Sequence, residues 1–516
     1  MSERVHRSVM NMKVGMLFYL LSLFLSFFSR KIFLDCLGTE FIGLTSMLAN
    51  IMSYLSVAEL GIGTSIVYFL YKPLQEGNHM RINEIMSILA YLYRWIGYVI
   101  GIFGLITSLF FPLWFHGLGV GLPFVYFAFY SFLAASMIGY LINFRQLLVS
   151  ADQKQYIVNA YFQSISLTQN IIQILLAYYY KNIYLWVVAG LLFTLIGCIL
   201  FNLHIRKIYP WLKIDIRTGR EKLKEYPDIL KKTKQVFIHK IKSLILYHSD
   251  DILVGAFVSI VQVAYFGNYT MITNKLNYLV NILSDGMNSG IGNLIAEGNK
   301  QNTMKVFWEL TAIRFLILGV VIFPLLLFFQ SFISLWLGNE YCLNDIIVYL
   351  LIFNIFINLS RGVVEMYISA HGLFSDVWTA WTELLLNITL TLCMAPFLGI
   401  IGILSAKILS VFFIAFLWKP FFLFSKGFQL PVSIYWKGMI PFYLIFILFV
   451  GVNIAVKEII IDSITTSLLK FIIYGVAIIV PLLMFYFLTL LYTTKGMKYF
   501  AARNPYFYKH IAKYIK

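Results

Sequence analysis

The chain has 516 residues, of which 60% are hydrophobic and only 12% are charged, and its formal net charge is +17. The charged fraction is about half that of an average soluble domain, and the mean hydropathy is +0.82. This composition excludes a soluble globular protein and indicates an integral membrane protein.

Apolar segments of about twenty residues, long enough to cross a hydrocarbon core roughly 30 Å thick, recur from one end of the chain to the other. The first follows the basic start MSERVHRSVMNMK and continues past Ser26 without a cleavage site. We therefore expect it to be a permanent span, not a removed leader. The sequence predicts an all-α polytopic protein with about fourteen transmembrane helices. The predicted spans are 14–34, 41–71, 84–112, 122–149, 155–180, 183–204, 236–258, 261–296, 304–331, 345–370, 377–396, 398–424, 438–457 and 464–492.

The basic residues predict the orientation of these spans. If the N-terminus is cytoplasmic, Lys and Arg in inner segments outnumber those at outer ends by about six to one, which agrees with the positive-inside rule. We therefore expect a multi-pass membrane protein with both termini in the cytoplasm. The strongly basic segment 206–242 and the C-terminal tail predict contact with anionic lipid, not with nucleic acid.

The chain carries signs of an internal duplication that preserves sidedness. Such parallel repeats predict two six-helix lobes around a central cleft, with two additional C-terminal helices and a substrate site near mid-membrane. The markers that occur in the same order in both halves are FIGLTSM (41–47) and YFGNYTM (265–271), QEGN (75–78) and AEGN (296–299), Arg94 and Arg314, and Trp114 and Trp336.

The predicted domains follow from this duplication. They are an N-lobe at 1–205, a basic cytoplasmic linker at 206–235, a C-lobe at 236–430, two further helices at 431–493 and a basic cytoplasmic tail at 494–516.

Basic residues inside the predicted spans are candidates for substrate binding, since charges within a membrane are costly and mark functional sites by default. Arg94 and Arg314 occupy equivalent positions in the repeat and would suit an anionic head group through forked hydrogen bonds to phosphate. Their structural alternative is pairing with an acid on a neighbouring helix. Arg30 closes the first span and could instead snorkel to the interface. Lys275 and Lys407 would either line the cleft or neutralise an acid, and Arg361 is the sixth basic candidate for the substrate-binding cleft.

Acidic residues inside the spans are candidates for coupling and gating, through proton or Na⁺ binding. Arg361 and Glu365 are four residues apart, and this spacing favours a structural ion pair along one helix face. Glu59 precedes a Gly-x-Gly that would allow close helix approach or bending; its alternative is an ion pair with Arg30 or Arg94. The candidate coupling residues are Glu59, Asp250, Asp251, Asp285 and Glu365.

The residues show no pattern of an enzyme. The four cysteines have no metal-ligand spacing, and there is no Walker loop or His-Glu-x-x-His motif. We expect no catalytic residues, no bound metal and no cofactor, apart from coupling to an H⁺ or Na⁺ gradient.

Several segments resemble Wzx-type polysaccharide flippases of the multidrug/oligosaccharidyl-lipid/polysaccharide exporter superfamily, in particular those of Gram-positive capsule and exopolysaccharide clusters. They are FSRKIFLDCLGTEFIGL (28–44), LSVAELGIGTSIVYFLYKPL (55–74), LLVSADQKQYIVN (147–159), HSDDILVGAF (248–257) and PFLGIIGILSAKILS (396–410).

This resemblance implies a MATE-like fold and the flipping of undecaprenyl-diphosphate-linked oligosaccharide repeat units from the inner to the outer leaflet by alternating access. The Arg of the FSR motif is Arg30, which the resemblance places among the basic residues that bind the diphosphate. It also implies a polysaccharide polymerase and other assembly proteins as partners of a monomeric flippase.

Three other functions remain open on the sequence. A cation-coupled drug antiporter of the same fold would present a net-acidic cleft, whereas the repeat-equivalent pair here is Arg94 and Arg314. A membrane-embedded polymerase or acyltransferase would need a large outer loop or a catalytic His, Asp and Arg set. A structural or assembly role is the third.

Overall fold

The computed structural model describes residues 3–59, 61–115, 117–152, 154–231, 233–234, 237, 249–296, 298–373, 376–464 and 468–503. Side chains are outside this description at 3–13, 57–58, 64, 282–290, 292–293, 296, 377, 460–464 and 468–469. The statements below concern these residues.

Every regular element in the described residues is a helix, which confirms the predicted all-α class. A chain with so few polar side chains satisfies its backbone groups within each helix, as the interior of a membrane requires. Contacts group the chain into two compact units, Met1–Ala264 and Tyr265–Lys516. The predicted lobe, linker and tail boundaries remain predictions.

The first unit runs from α1 to α11 and includes the start of α12. Two 3₁₀ turns, Ser56–Glu59 and Asn143–Arg145, interrupt the series. The helices are α1 (Glu3–Leu37), α2 (Thr39–Leu55), α3 (Ile62–Glu76), α4 (His79–Ser108), α5 (Phe111–Trp114), α6 (Leu122–Ile142), α7 (Gln146–Ala151), α8 (Gln155–Tyr180), α9 (Ile183–Ile208), α10 (Ile216–Lys222), α11 (Asp250–Phe257) and α12 (Ile260–Ala296).

The second unit is organised around one long central helix, α13, whose neighbours include α14, α19, α20 and α21. A 3₁₀ turn at Asn339–Tyr341 and π-helical turns at Phe413–Trp418 and Leu423–Phe428 complete it. The helices are α13 (Lys300–Trp336), α14 (Asp345–Ser360), α15 (Gly362–Ala370), α16 (Val377–Leu398), α17 (Ile400–Phe412), α18 (Lys419–Phe422), α19 (Val432–Ile464), α20 (Leu468–Thr493) and α21 (Lys495–Ala502).

Ten helical segments of the described chain are long and apolar enough to cross a membrane. Large apolar side chains on them face outward, for example Phe397 (87% exposed) and Ile459 (81% exposed). Such extensive exposed apolar surface is typical of lipid-facing helices. The structure therefore has the helices of a multi-pass membrane protein. The segments are Val14–Leu37, His79–Ser108, Leu122–Ala151, Ile183–Ile208, Lys300–Trp336, Asp345–Ala370, Trp378–Leu398, Ile400–Phe428, Val432–Ile459 and Lys470–Thr493.

The remaining predicted spans have different outcomes. Spans 155–180 and 261–296 lie in the long helices α8 and α12, and most of span 236–258 lies outside the described residues. The predicted single helix at 41–71 is wrong, because α2 gives way to the 3₁₀ turn Ser56–Glu59 before α3 begins. The physical reason is Gly61, whose φ of 96° is left-handed and ends the helical path.

Candidate functional site

A cavity of about 750 Å³ lies in the first unit, between α2, the segment that follows α4, and α11. None of the described residues that line it is charged, and the few polar ones are Tyr54, Thr107 and Ser259. The apolar lining comes chiefly from Met47, Ile51, Leu55, Leu113, Trp114, Leu118, Ile252, Ala256, Val258 and Ile260. Such a surface favours a hydrocarbon or aromatic portion of a ligand.

Two glycines allow the helices around this cavity to approach closely. A Cβ on Gly43 would lie 2.0 Å from the carbonyl oxygen of Ile260, and one on Gly255 would lie 2.8 Å from Sδ of Met47. A larger residue at Gly43 would push α2 away from the start of α12, and one at Gly255 would push α11 away from α2. The glycines therefore position the cavity walls.

Two predicted coupling residues, Asp250 and Asp251, stand at the start of α11, directly before the lining residue Ile252. Oδ2 of Asp251 accepts a hydrogen bond from Nδ2 of Asn50 at 2.9 Å. Asp250 interacts electrostatically with Tyr54, another lining residue. A carboxylate pair thus lies next to the apolar cavity, at the boundary between α2 and α11.

Glu59 lies in the 3₁₀ turn between α2 and α3. Its Oε1 accepts a hydrogen bond from the hydroxyl of Tyr93 at 2.6 Å, and the hydroxyl of Tyr140 also interacts with it. The two tyrosine rings meet edge to face at 5.7 Å. A Cβ on Gly63 would lie 3.2 Å from the Tyr93 hydroxyl, so the Gly-x-Gly motif makes room for this group. Tyrosine hydroxyls, not Arg30 or Arg94, are the partners that the structure gives Glu59.

Arg30 and Arg94 have different surroundings. Nη2 of Arg30 donates to the carbonyl oxygen of Ala264 at 2.9 Å, which ties the end of α1 to the start of α12. Arg94 is exposed on α4, and its Nε donates to the hydroxyl of Tyr98 at 2.9 Å. Trp95, beside it, is 54% exposed. Arg94 therefore lies on an outward aromatic face of the first unit.

Arg314 is the repeat counterpart of Arg94, yet it is buried in α13 with 7% of its surface exposed. Its guanidinium packs so closely on Gly362 that a Cβ there would lie 1.9 Å from Nη2. Glu365 attracts it electrostatically. The predicted ion pair between Arg361 and Glu365 is present, with Nε and Oε1 3.4 Å apart. Two arginines and one glutamate thus gather where α13 meets α14 and α15.

The other predicted residues lie elsewhere in the helices. Lys275 is half-buried in α12. Lys407 is buried in α17, which packs along α16, where Glu383 is also buried. The side chain of Asp285 lies outside the described part of the chain.

Two buried acids that the sequence reasoning did not select form ion pairs in the second unit. Asp376 pairs with Nζ of Lys419 at 2.7 Å, and Glu309 pairs with Nη2 of Arg503 at 2.8 Å. Their partners are far away in the sequence, so no local spacing marks them.

The fold is the one seen in transporters of the MOP superfamily. No protein-family model matches the chain, and no curated protein matches it significantly. Among solved structures, it is similar to an inward-facing multidrug resistance MATE transporter of the MOP superfamily, at 16% identity and a TM-score of 0.58, covering 81% of this chain and 97% of that one.

Two further structures share this fold. The lipid II flippase MurJ in an inward closed conformation is 16% identical, with a TM-score of 0.65 and coverage of 91% and 98% of the two chains. The MATE transporter VcmN of Vibrio cholerae, as its D35N mutant, is 14% identical, with a TM-score of 0.51 and coverage of 83% and 99%. The shared architecture spans nearly the whole length of these proteins.

Proposed function

We propose that this protein is a flippase that moves undecaprenyl-diphosphate-linked oligosaccharide repeat units from the inner to the outer leaflet by alternating access. The observation that carries the proposal is the cavity of about 750 Å³, whose lining includes no charged side chain among the residues that the structure describes. A hydrophilic solute would leave such walls poorly solvated, whereas an amphiphile can place apolar groups against them. The fold shared with a lipid II flippase supports the same substrate class.

The substrate's diphosphate requires cations, and we assign this role first to Arg314 and Arg361. Both guanidinium groups lie near Glu365, which pairs with Arg361 and attracts Arg314, so two arginines are gathered at one place in the second unit. Arginine presents a planar fork of donors that matches phosphate oxygens. Arg30, Arg94, Lys275 and Lys407 are further proposed contacts along the path.

We assign coupling to Asp250 and Asp251, since they adjoin the cavity, and gating to Glu59, Asp285 and Glu365. The coupling ion is H⁺ or Na⁺. The flippase acts as a monomer in the bacterial plasma membrane with both termini cytoplasmic. It supplies repeat units to a polymerase and other assembly proteins for capsule or exopolysaccharide synthesis, and it catalyses no covalent step.

The test is a deletion strain complemented with matched variants. Deletion is expected to abolish surface polysaccharide and to leave lipid-linked repeat units accumulated on the cytoplasmic face. Val258, which lines the cavity and is 42% exposed, is changed to Trp to fill it. The control is Val476→Trp on α20, since Val476 is 57% exposed and does not line the cavity. The proposal would be contradicted if the wild-type gene does not restore export. It would also be contradicted if Val258→Trp restores export as well as Val476→Trp does.

A cation-coupled drug antiporter is the second candidate, favoured by the carboxylates Asp250 and Asp251 beside the apolar cavity. Such a pair would attract a cationic, aromatic drug. The same deletion strain distinguishes the two functions. If the protein is an antiporter, its deletion makes the strain drug-sensitive and does not cause lipid-linked sugars to accumulate.

A further inference from the structure

A second, smaller cavity of about 360 Å³ lies in the second unit, where α13, α19 and α21 meet beside the end of α20. Its lining shares no residue with the arginine cluster or with the cavity of the first unit. Its lining combines apolar side chains with lysines: Trp308, Ile434, Lys437, Gly438, Pro441, Phe442, Thr493, Thr494, Lys495 and Gly496.

Two glycines allow the helices around this cavity to pack closely on Trp308. A Cβ on Gly438 would lie 2.2 Å from the Trp308 ring, and one on Gly496 would lie 2.1 Å from the Trp308 carbonyl oxygen. The two helices α19 and α21 therefore pack directly on α13 at this residue. The indole of Trp308 forms part of the cavity wall and occupies the room that a side chain at Gly438 would need.

The cavity offers donors and lacks anionic acceptors. Lys437 and Lys495 are exposed, and neither ammonium group has an acceptor among the described residues. The same is true of the indole N–H of Trp308. No Asp or Glu is among the described residues that line the cavity, and Oε2 of the adjacent Glu309 pairs with Arg503. The chemistry therefore fits a ligand rich in anionic oxygens, such as a phosphate group.

The position of the cavity identifies the source of that phosphate. It lies at the start of one apolar segment, Val432–Ile459, and at the end of another, Lys470–Thr493, so it stands at a membrane boundary. Tryptophan and lysine are the residues that anchor proteins at this level. The nearby α19 side chains Ile434 (38% exposed) and Ile440 (50% exposed) offer an apolar surface for acyl chains.

We propose that this cavity binds the head group of an anionic glycerophospholipid, with the phosphate held between Lys437 and Lys495 and the glycerol region against Trp308 and Phe442. The site does not depend on the proposed flippase activity. It would fix α21 at the membrane surface against α13 and α19.

The test uses the purified full-length protein and native mass spectrometry with phosphatidylglycerol, and phosphatidylcholine as the neutral comparison. We expect wild type to retain phosphatidylglycerol preferentially. The double variant Lys437→Gln/Lys495→Gln is expected to lose about thirtyfold in affinity, from the usual contribution of a lysine at a charged membrane surface. The control is Lys31→Gln/Lys426→Gln, which removes the same charge from two exposed lysines outside the cavity and outside the basic segment 206–242.

Each outcome bears on the proposal. Loss of the phosphatidylglycerol adduct in the cavity variant but not in the control supports it. Equal loss in both variants, no loss in either, or equal retention of phosphatidylcholine overturns it. Displacement of the lipid by millimolar inorganic phosphate would show a free-anion site and would overturn the lipid assignment. Thermal unfolding of both variants shows whether a lost adduct reflects a misfolded protein.

Discussion

The contact between Tyr93 and Glu59 allows a sharp test of whether an embedded carboxylate is structural or functional. The hydroxyl lies 2.6 Å from Oε1 of Glu59, and Tyr93 is only 3% exposed. Tyr93→Phe removes the donor and leaves the carboxylate with Tyr140 alone. Because a hydrogen bond to a charged group contributes about 1.5–3 kcal/mol, we expect a loss of about 2 kcal/mol, or roughly 2 °C in the unfolding temperature of a chain of this length.

The assay is thermal unfolding in detergent, paired with export of surface polysaccharide in cells. Tyr91→Phe is the matched control, since Tyr91 is a half-buried tyrosine on the same helix whose hydroxyl has no hydrogen-bond partner among the described residues. Glu59→Gln keeps an acceptor oxygen for Tyr93 and is expected to change the unfolding temperature little. If Glu59 gates the transporter, Glu59→Gln is folded but does not export. Equal unfolding temperatures for Tyr93→Phe and Tyr91→Phe would refute the structural role of the Tyr93 hydroxyl, and normal export by Glu59→Gln would refute the gating role.

Further predictions concern the arginine cluster and the linker that follows α9. Gly362→Ala places a Cβ 1.9 Å from Nη2 of Arg314, so we expect a loss of about 1–3 kcal/mol in unfolding free energy. Gly451→Ala, whose Cβ would meet nothing within 4 Å, is expected to be neutral or stabilising in the same thermal assay, and equal effects would contradict this account. In the linker, the Thr218 hydroxyl and the backbone amides of Arg217 and Thr218 hold the pKa of Asp215 below its ordinary 3.8. The cap therefore stabilises α10 above the unfolded-state pKa, and this contribution is lost as the pH falls through the lower folded-state pKa. The protection factor of the Thr218 amide, which compares its hydrogen-exchange rate with the intrinsic rate at each pH, is expected to fall over that acid range in wild type but not in Asp215→Asn, and identical pH profiles would argue against the cap.

The sequence predicted those features that depend on local pattern. The helical class, the apolar segments and the short break between α16 and α17 at Gly399 follow from hydropathy and helix-ending residues. The ion pair between Arg361 and Glu365 follows from their spacing on one helix face. The interruption of span 41–71 has a local cause too, in the left-handed Gly61.

The partners of the embedded charges could not be predicted, because tertiary packing selects them. Glu59 finds Tyr93 on another helix, and Asp251 finds Asn50, which is 201 residues away. The repeat predicted similar surroundings for Arg94 and Arg314, whereas one is exposed and the other buried. Equivalent positions in a duplicated sequence do not guarantee equivalent neighbours.

Translocation of a lipid-linked substrate in a purified system tests the central proposal most directly. The protein is reconstituted into liposomes that contain an undecaprenyl-diphosphate oligosaccharide, and the fraction accessible to an external sugar-modifying reagent is followed over time. We predict that wild type and Val476→Trp move the substrate of the inner leaflet to the outer leaflet, where the reagent reaches it. Val258→Trp is expected to do so much more slowly. Exposure no faster than in protein-free liposomes, or equal rates for the two valine variants, would contradict the account.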